Sequence, residues 1–454
     1  MLLDPPHPLS EEPSSSCRLG DVIVDGTPGR TIVVDHGAIT EIREVRSSDD
    51  RRYAGCFVTP GLIDSHQHLP PSSPLKLSGL YCLLYLMHGV TTVLDAGDGD
   101  GTAVPAARGL IASGALPGPR VVSVGPFVAR PPRQWANTVL VEDPVAPAVI
   151  VQRALDRGAQ AIKLYEELTR SDIEGIGAAA AERGLLVLGH VPAALDIEEA
   201  GVPEVQHFFG VPTAKSRGGA PQLLKRLADW HAVDDARLDA VVEASATTGI
   251  RHTPTLVVTE GVLRAQQDGQ DEPLMPRLFP AVIWHPKTGL STYRDASERD
   301  ISLLRESLPV KLELVNRLYR AGVQLYAGTD VGQPFTVPGK SLQRELHLFA
   351  QAGIPPAAVI ELATARSGER LRIPKLGTIA AGAPADMLVL DRNPCEDLDA
   401  LDSMRAVLSA GHLLDAQVLR SAVDRQLAHY RSMLVDRAGI IGGRLALRKL
   451  PVLV

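Results

Sequence analysis

Pro60-Gly61-Leu62-Ile63-Asp64-Ser65-His66-Gln67-His68 sets two histidines one residue apart, behind an apolar run, Cys56-Phe57-Val58, and a proline-glycine break. On a strand, alternate side chains point the same way, so His66 and His68 aim two imidazoles at one point from one rigid element. That arrangement suits a metal ion. The pair alone is equally compatible with two polar residues of a loop. What decides between the two is whether the rest of a coordination sphere follows.

Outward from this stretch the texture differs on the two sides. Residues 1–16 are rich in Pro, Ser and Glu and read as a disordered arm. Short alternating runs at 21–24, 31–35 and 38–42, punctuated by Gly and Asp, read as hairpins of a small β-domain. Downstream, β-branched runs at 90–94, 121–124, 161–165, 185–188, 254–258 and 323–327 read as strands. Helical patterns at 148–158, 171–184, 235–248 and 309–322 lie between them. The alternation predicts an α/β chain whose residues 58–371 form a (β/α)8 TIM-like barrel. Residues 260–308 mix charges, Pro and isolated aromatics and read as an insertion over the barrel mouth. After 374 the β texture returns at 376–379, 385–390 and 406–408, so 17–57 plus 372–415 predict a small β-sandwich domain. In the extension 416–454, Leu419, Val423, Leu427, Tyr430 and Leu434 fall at helical spacing. That helix would pack on the body or on a second subunit, the latter making a homo-oligomer.

The 454 residues exceed one small core and fit a large barrel with an accessory domain. Aromatic content is 4%, so Ala, Val and Leu must fill the interior. A net charge of -7 argues against a nucleic-acid partner. Cys17, Cys56, Cys82 and Cys395 show no metal or disulfide spacing and read as buried thiols of a reducing compartment. With no basic leader and no long apolar run, the expectation is a cytoplasmic protein that does not enter a membrane. No glycine-rich phosphate or dinucleotide motif opens a helix, which excludes the common nucleotide cofactors.

Four further candidates stand at the C-terminal ends of predicted strands, where barrel active sites lie. Lys163 follows Gly158-Ala159-Gln160-Ala161-Ile162, and His190 follows Leu185-Leu186-Val187-Leu188-Gly189. His207 follows Pro203-Glu204-Val205-Gln206, and Asp330 follows Tyr326-Ala327-Gly328-Thr329. Singly, each has a plain structural explanation: a core histidine, a solvated lysine, a helix N-cap aspartate. Their joint order around one barrel is what signals a site. With His88-Gly89-Val90-Thr91-Thr92-Val93 and the run from Leu376 to Leu390, they make the chain resemble the amidohydrolase superfamily over residues 18–415. The likeness is to the branch of imidazolonepropionase-like enzymes and prolidase-type dipeptidases.

The resemblance implies a binuclear metal centre, with zinc as the default ion. His66, His68 and Asp330 would bind one ion, and His190 and His207 the other. Lys163 would bridge the two as N6-carboxylysine, because only its CO2-derived carbamate offers an anion with two oxygens. Asp330 would be catalytic, passing a proton from a hydroxide-forming water between the ions to the leaving nitrogen. Gln206 and Arg366 depart from the family pattern, which more often has Glu and Asn there. Asp64 reads as structural. Tyr165, Trp135 and His252 are candidates to line the mouth, and Arg130 and Arg133 sit in the same loop as Trp135. The leading expectation is a hydrolase that cleaves an amide bond of a dipeptide or N-acyl amino acid. The alternatives are a cyclic amide, lactone, carbamate or xenobiotic substrate on the same metals. A non-catalytic scaffold is the reading of another class, but such relatives lose ligands and all six are present here.

Overall fold

The computed structural model describes residues 16–72, 76–216, 223–267, 273–275, 296–333 and 335–432. The runs near the start form β1 (Cys17–Val24), β2 (Thr27–Asp35) and β3 (Ala38–Glu44), followed by β4 (Phe57–Pro60). Short apolar runs then form β5 (Leu62–Gln67), β6 (Val90–Asp95), β7 (Arg120–Ser123), β8 (Phe127–Ala129) and β9 (Thr138–Leu140). They continue as β10 (Ala161–Leu164), β11 (Leu186–Gly189), β12 (Glu204–Gln206) and β13 (Arg251–Thr253). Last come β14 (Met387–Leu390), β15 (Met404–Ser409) and β16 (His412–Asp415).

The two ends of the chain share one mixed sheet of seven strands, in the order β16-β15-β14-β4-β1-β2-β3. It buries its own core, in which Leu19, Val22, Ile32 and Ile39 meet Met387, Val389 and Ala406. The expected sandwich therefore takes its strands from both ends as read, but as a single hydrogen-bonded sheet. Phe57–Pro60 belongs to it, pairing with β1 and β14, so the boundary falls after residue 60 and not before 58.

The middle of the chain forms two parallel sheets, β5-β6-β7 and β13-β12-β11-β10-β8-β9. Every residue of β6, β10 and β11 is buried, as expected where helices cover one face and other strands the second. Backbone bonds link the two sheets on both sides, from the edge strand β7 to the residue ahead of β10 and between the edge strands β5 and β13. The Gln160 N–H donates to the Ser123 carbonyl (2.9 Å). On the second side, the segment 324–331 lies between β13 and β5. His252 N–H donates to the Gln324 carbonyl (3.0 Å), Ser65 N–H to Ala327 (2.9 Å) and Thr329 N–H to His66 (2.8 Å). Leu94, Val122, Val124, Ala161, Leu186 and Leu188, drawn from both sheets, form one buried cluster against Leu371 and Ile373.

The helices at 148–158, 171–184 and 235–248 appear as Pro147–Asp156, Arg170–Ala181 and Asp235–Thr248. Three expected strands differ. The run 254–258 is not a strand: the strand ends at Thr253, Thr255 turns to a positive φ, and a helix begins at Val257. Pro254 supplies no N–H to continue the ladder. The segment 323–327 makes isolated bridges and no ladder, and 376–379 is a turn. Of the proposed insertion, most of the described part is helical, in Val257–Gln267 and Glu298–Arg320, with a turn at 273–275, while 268–272 and 276–295 lie outside the described residues. The tail helix Ala416–Arg431 buries Leu419, Val423, Leu427 and Tyr430 as spaced; Leu434 and the arm 1–15 lie outside the described residues. No described helix is long and apolar enough to cross a membrane.

Candidate metal centre

The site gathers where the parallel strands end. His66 lies on β5, with His68 just past it. Gly328 lets the segment carrying Asp330 close onto β5, because a Cβ there would lie 2.7 Å from the His66 Cβ. Asp330 itself takes a left-handed backbone (φ 52), which aspartate tolerates better than bulky residues. Its Oδ1 then lies 3.4 Å from His66 Nε2 and 3.2 Å from His68 Nε2, and its Oδ2 lies 3.9 Å from His207 Nε2. One ligand atom each from His66, His207 and Asp330 falls within 4.8 Å of the others, and all three residues are buried. The His190 ring stands 5.1 Å from that of His207. Lys163 is fully enclosed on β10, beside the strand β11 that leads into His190; after burial, its charge is a further cause that lowers the basicity of His66, His190 and His207.

Three of the imidazoles are held at Nδ1. His68 Nδ1–H donates to the Gly97 carbonyl (2.9 Å), and His190 Nδ1–H to Glu166 Oε1 (2.7 Å). His207 Nδ1 pairs with the Thr255 hydroxyl (2.7 Å). Each bond leaves Nε2 directed into the centre, the usual way a protein presents a histidine to a metal. His66 differs: both of its ring nitrogens are buried without a hydrogen-bond partner. A buried imidazole with neither nitrogen satisfied is costly unless a cation takes its lone pair. On that test, these residues fit a divalent metal ion.

The electrostatics agree. Burial holds His66, His190 and His207 well below the ordinary histidine range, so they stay neutral and able to ligate. Burial alone would raise Asp330, but the imidazoles of His207, His66 and His68 facing it hold its carboxyl well below the usual range. Burial brings Lys163 down to about 7, against the opposing pull of Asp330, Glu166 and Glu204. Its ammonium donates to Gln206 Oε1, the position where the family more often has a carboxylate. Asp64 is structural as read: its carboxylate accepts from the His66 N–H (3.2 Å) and the Thr329 hydroxyl (2.6 Å), bracing both ligand-bearing segments.

Tyr165 packs its ring against His190 (centroids 4.6 Å) and accepts from Trp135 Nε1 at its hydroxyl (3.3 Å). His252 points outward from β13, fully buried, and meets Ser245 Oγ at 2.9 Å, while its neighbour Thr253 faces Glu204. Arg366 is also remote, a half-exposed side chain paired with Glu361 at 2.9 Å. Sequence reasoning missed Glu166 and Thr255, the partners of His190 and His207. Glu166 immediately follows Lys163-Leu164-Tyr165, a position that carries a weak signal; Thr255 carried none, being taken for mid-strand.

The amidohydrolase family model matches residues 57–414. The chain belongs to the amidohydrolase family. This amidohydrolase is therefore a hydrolytic enzyme acting on carbon–nitrogen bonds. Its fold is shared with a bottromycin amidohydrolase (TM-score 0.70, 22% identity, covering 94% of this chain and 92% of that one). A Xaa-Pro dipeptidase with bound methionine in its active site is also similar (TM-score 0.62, 20% identity, 88% and 99%). So is the A. niger ochratoxinase (TM-score 0.62, 17% identity, 88% and 96%). No curated protein matches the chain.

Proposed function

We propose that this amidohydrolase cleaves the amide bond of a dipeptide or N-acyl amino acid at a centre of two divalent ions, zinc by default. The observation that carries the reading is the buried group of His66, His207 and Asp330, with His68, His190 and Lys163 around it. The backbone links on both sides of the parallel sheets, and the cluster drawn from both, support a closed (β/α)8 barrel of about residues 61–371 beside the β-domain of 17–60 and 372–415. His66, His68 and Asp330 would hold one ion, and His190 and His207 the other. Lys163 is enclosed and its amine is easily neutralised, and a neutral amine is the form that adds CO2; this supports the bridging N6-carboxylysine. Bound divalent ions would acidify water and polarise the scissile carbonyl.

The chain's own groups supply the rest. Asp330, ionised and fixed between His66 and His68, takes the proton of the attacking water and returns it to the leaving nitrogen. Tyr165, kept protonated by burial, has a hydroxyl at the mouth to orient a substrate carbonyl. Arg130 and Arg133 do not serve an anionic terminus. Arg130 is forked onto Asp143 and Asp172, and Arg133 onto the carbonyls of Ala136 and Thr138. A second reading, a cyclic or xenobiotic amide or carbamate, draws support from the similar fold of ochratoxinase and of molinate hydrolase.

The test is zinc-loaded protein against mixed dipeptides and N-acyl amino acids, read by mass spectrometry, with metal content measured in parallel. The expected result is cleavage that Asp330→Ala lowers by at least about 100-fold. Protein holding two ions yet cleaving none of these substrates would overturn the dipeptide and N-acyl reading.

A further inference from the structure

We infer that Phe127 and Trp135 form a stacking platform for an aromatic ring of the substrate, so that the preferred amides carry an aryl group; this rests on the amide-hydrolase reading above. Trp135 is the aromatic member of the few large hydrophobic side chains left exposed among the described residues, at 36%. Its indole lies nearly parallel to the Phe127 ring, with centroids 5.5 Å apart and planes at 17°. Phe127 stands 6.3 Å from the His68 ring and 4.6 Å from Tyr165, which is itself 4.6 Å from His190. One aromatic wall thus runs from the partly exposed indole to two of the candidate ligands.

The wall is built into the backbone. The loop after β6 has glycine where the rings press: a Cβ at Gly97 would lie 2.1 Å from Phe127 Cζ, and one at Gly99 would lie 2.9 Å from Trp135 Cε3. Gly97 is also the residue whose carbonyl holds His68. The loop carrying Trp135 is tied down on both sides. Asn137 N–H donates to the Gly99 carbonyl (2.9 Å), and the Thr138 hydroxyl to the Trp135 carbonyl (2.8 Å). The indole is therefore held in place before any substrate arrives, which lowers the cost of binding. The guanidinium groups near it are spent on their own partners: Arg130 on two carboxylates, and Arg226 on Glu166 and across the Phe209 ring. What the wall offers is a π face, and a flat aryl ring in offset stacking is the group that uses it best.

Equilibrium dialysis on the zinc-loaded full chain tests this directly, using naphthylmethanol and its saturated counterpart decalinylmethanol. Wild type is expected to bind the aryl probe about threefold to tenfold more tightly. Trp135→Ala should erase that preference, Trp135→Phe should retain part of it, and Gly99→Ala, which pushes on the indole, should weaken it. In turnover, the ratio of kcat/KM for naphthoyl-glycine over acetyl-glycine should fall about tenfold in Trp135→Ala. Equal binding of the two probes by wild type, or a preference unmoved in Trp135→Ala, overturns the platform. Aryl-selective binding without cleavage of any acyl-glycine supports the platform and overturns the N-acyl amino acid reading instead.

Discussion

At the centre, each Nδ1 bond is of a different kind: a backbone carbonyl for His68, a carboxylate for His190, a hydroxyl for His207. The hydroxyl is the most easily tested. Thr255 holds a positive φ of 49, as do its partner His207 (φ 60) and the adjoining Phe208 (φ 55). Strain of this kind persists where the surroundings over-determine the backbone, commonly at functional sites. Thr255→Val keeps the shape and removes the partner of the imidazole. Its metal affinity, measured by competition with a chromophoric chelator, is expected to fall about 10–100-fold, with Thr255→Ser restoring most of it. Unchanged affinity in the Val variant would show that the hydroxyl does not orient His207.

Among the elements, Glu345 shows how a helix serves the site at a distance. On the helix Lys340–Gln351 it is fully buried and accepts from the Leu256 (2.9 Å) and Val257 (2.7 Å) N–H groups. These N–H groups lie at the N-terminus of the helix Val257–Gln267, where intrahelical acceptors are lacking. The same bonds anchor the turn that carries Thr255. Glu345→Gln is expected to cost about 1–3 kcal/mol in urea unfolding, since a carboxamide cannot accept at both positions. Lys311, buried on the helix Glu298–Arg320, joins three helices by donating to the Leu227 carbonyl (2.8 Å) and the Thr259 hydroxyl (2.9 Å). Burial brings its amine down to about 7 from the ordinary 10.5. Between those values the unfolded chain binds the extra proton, so folded stability rises with pH across that window and the penalty is complete below it. Wild type should therefore gain about 3 kcal/mol over Lys311→Met between pH 6.5 and 9.5, followed by urea unfolding. A difference independent of pH would show that Lys311 titrates normally.

Across the whole molecule, the inner cluster is closed by a buried ion pair. Arg370, from the helix Ala365–Arg370, donates Nε to Glu204 Oε2 on β12 at 2.7 Å, and neither side chain is exposed. Thr253 donates to the same carboxylate, and Tyr326 lies under the guanidinium at 4.7 Å. One pair thus holds β12, β13 and the segment leading to Asp330. Arg370→Met leaves the buried carboxylate with only the more distant Arg251 (3.8 Å) as a cation and is expected to cost about 3 kcal/mol, read as a lowered urea midpoint. A cost under about 1 kcal/mol would mean that Glu204 finds water or a proton instead.

Much of this was legible in the chain. Strands buried on both faces, such as β6 and β10, read as short runs rich in apolar or β-branched residues, and five of the six ligand candidates stand at or just past strand ends, where position follows from local periodicity. The errors have one cause. Residues 254–258 carry a strand-like run, yet Glu345, 89 residues away, starts a helix there. His252 was placed at the mouth, but the pairing of β13 with β12 and the segment 324–331 turns Thr253 inward and His252 out. Arg130 looked available until the fold brought Asp172 to it, 42 residues on. The order of most elements and the choice of candidate ligands thus follow from the chain alone, because short-range patterns specify both. The tertiary structure alone decided which partner holds each imidazole, which arginines are spent, and that Trp135 stacks on Phe127 while staying partly exposed. Those contacts join residues far apart in the chain, and no local period encodes a distance that exists only once the strands have packed.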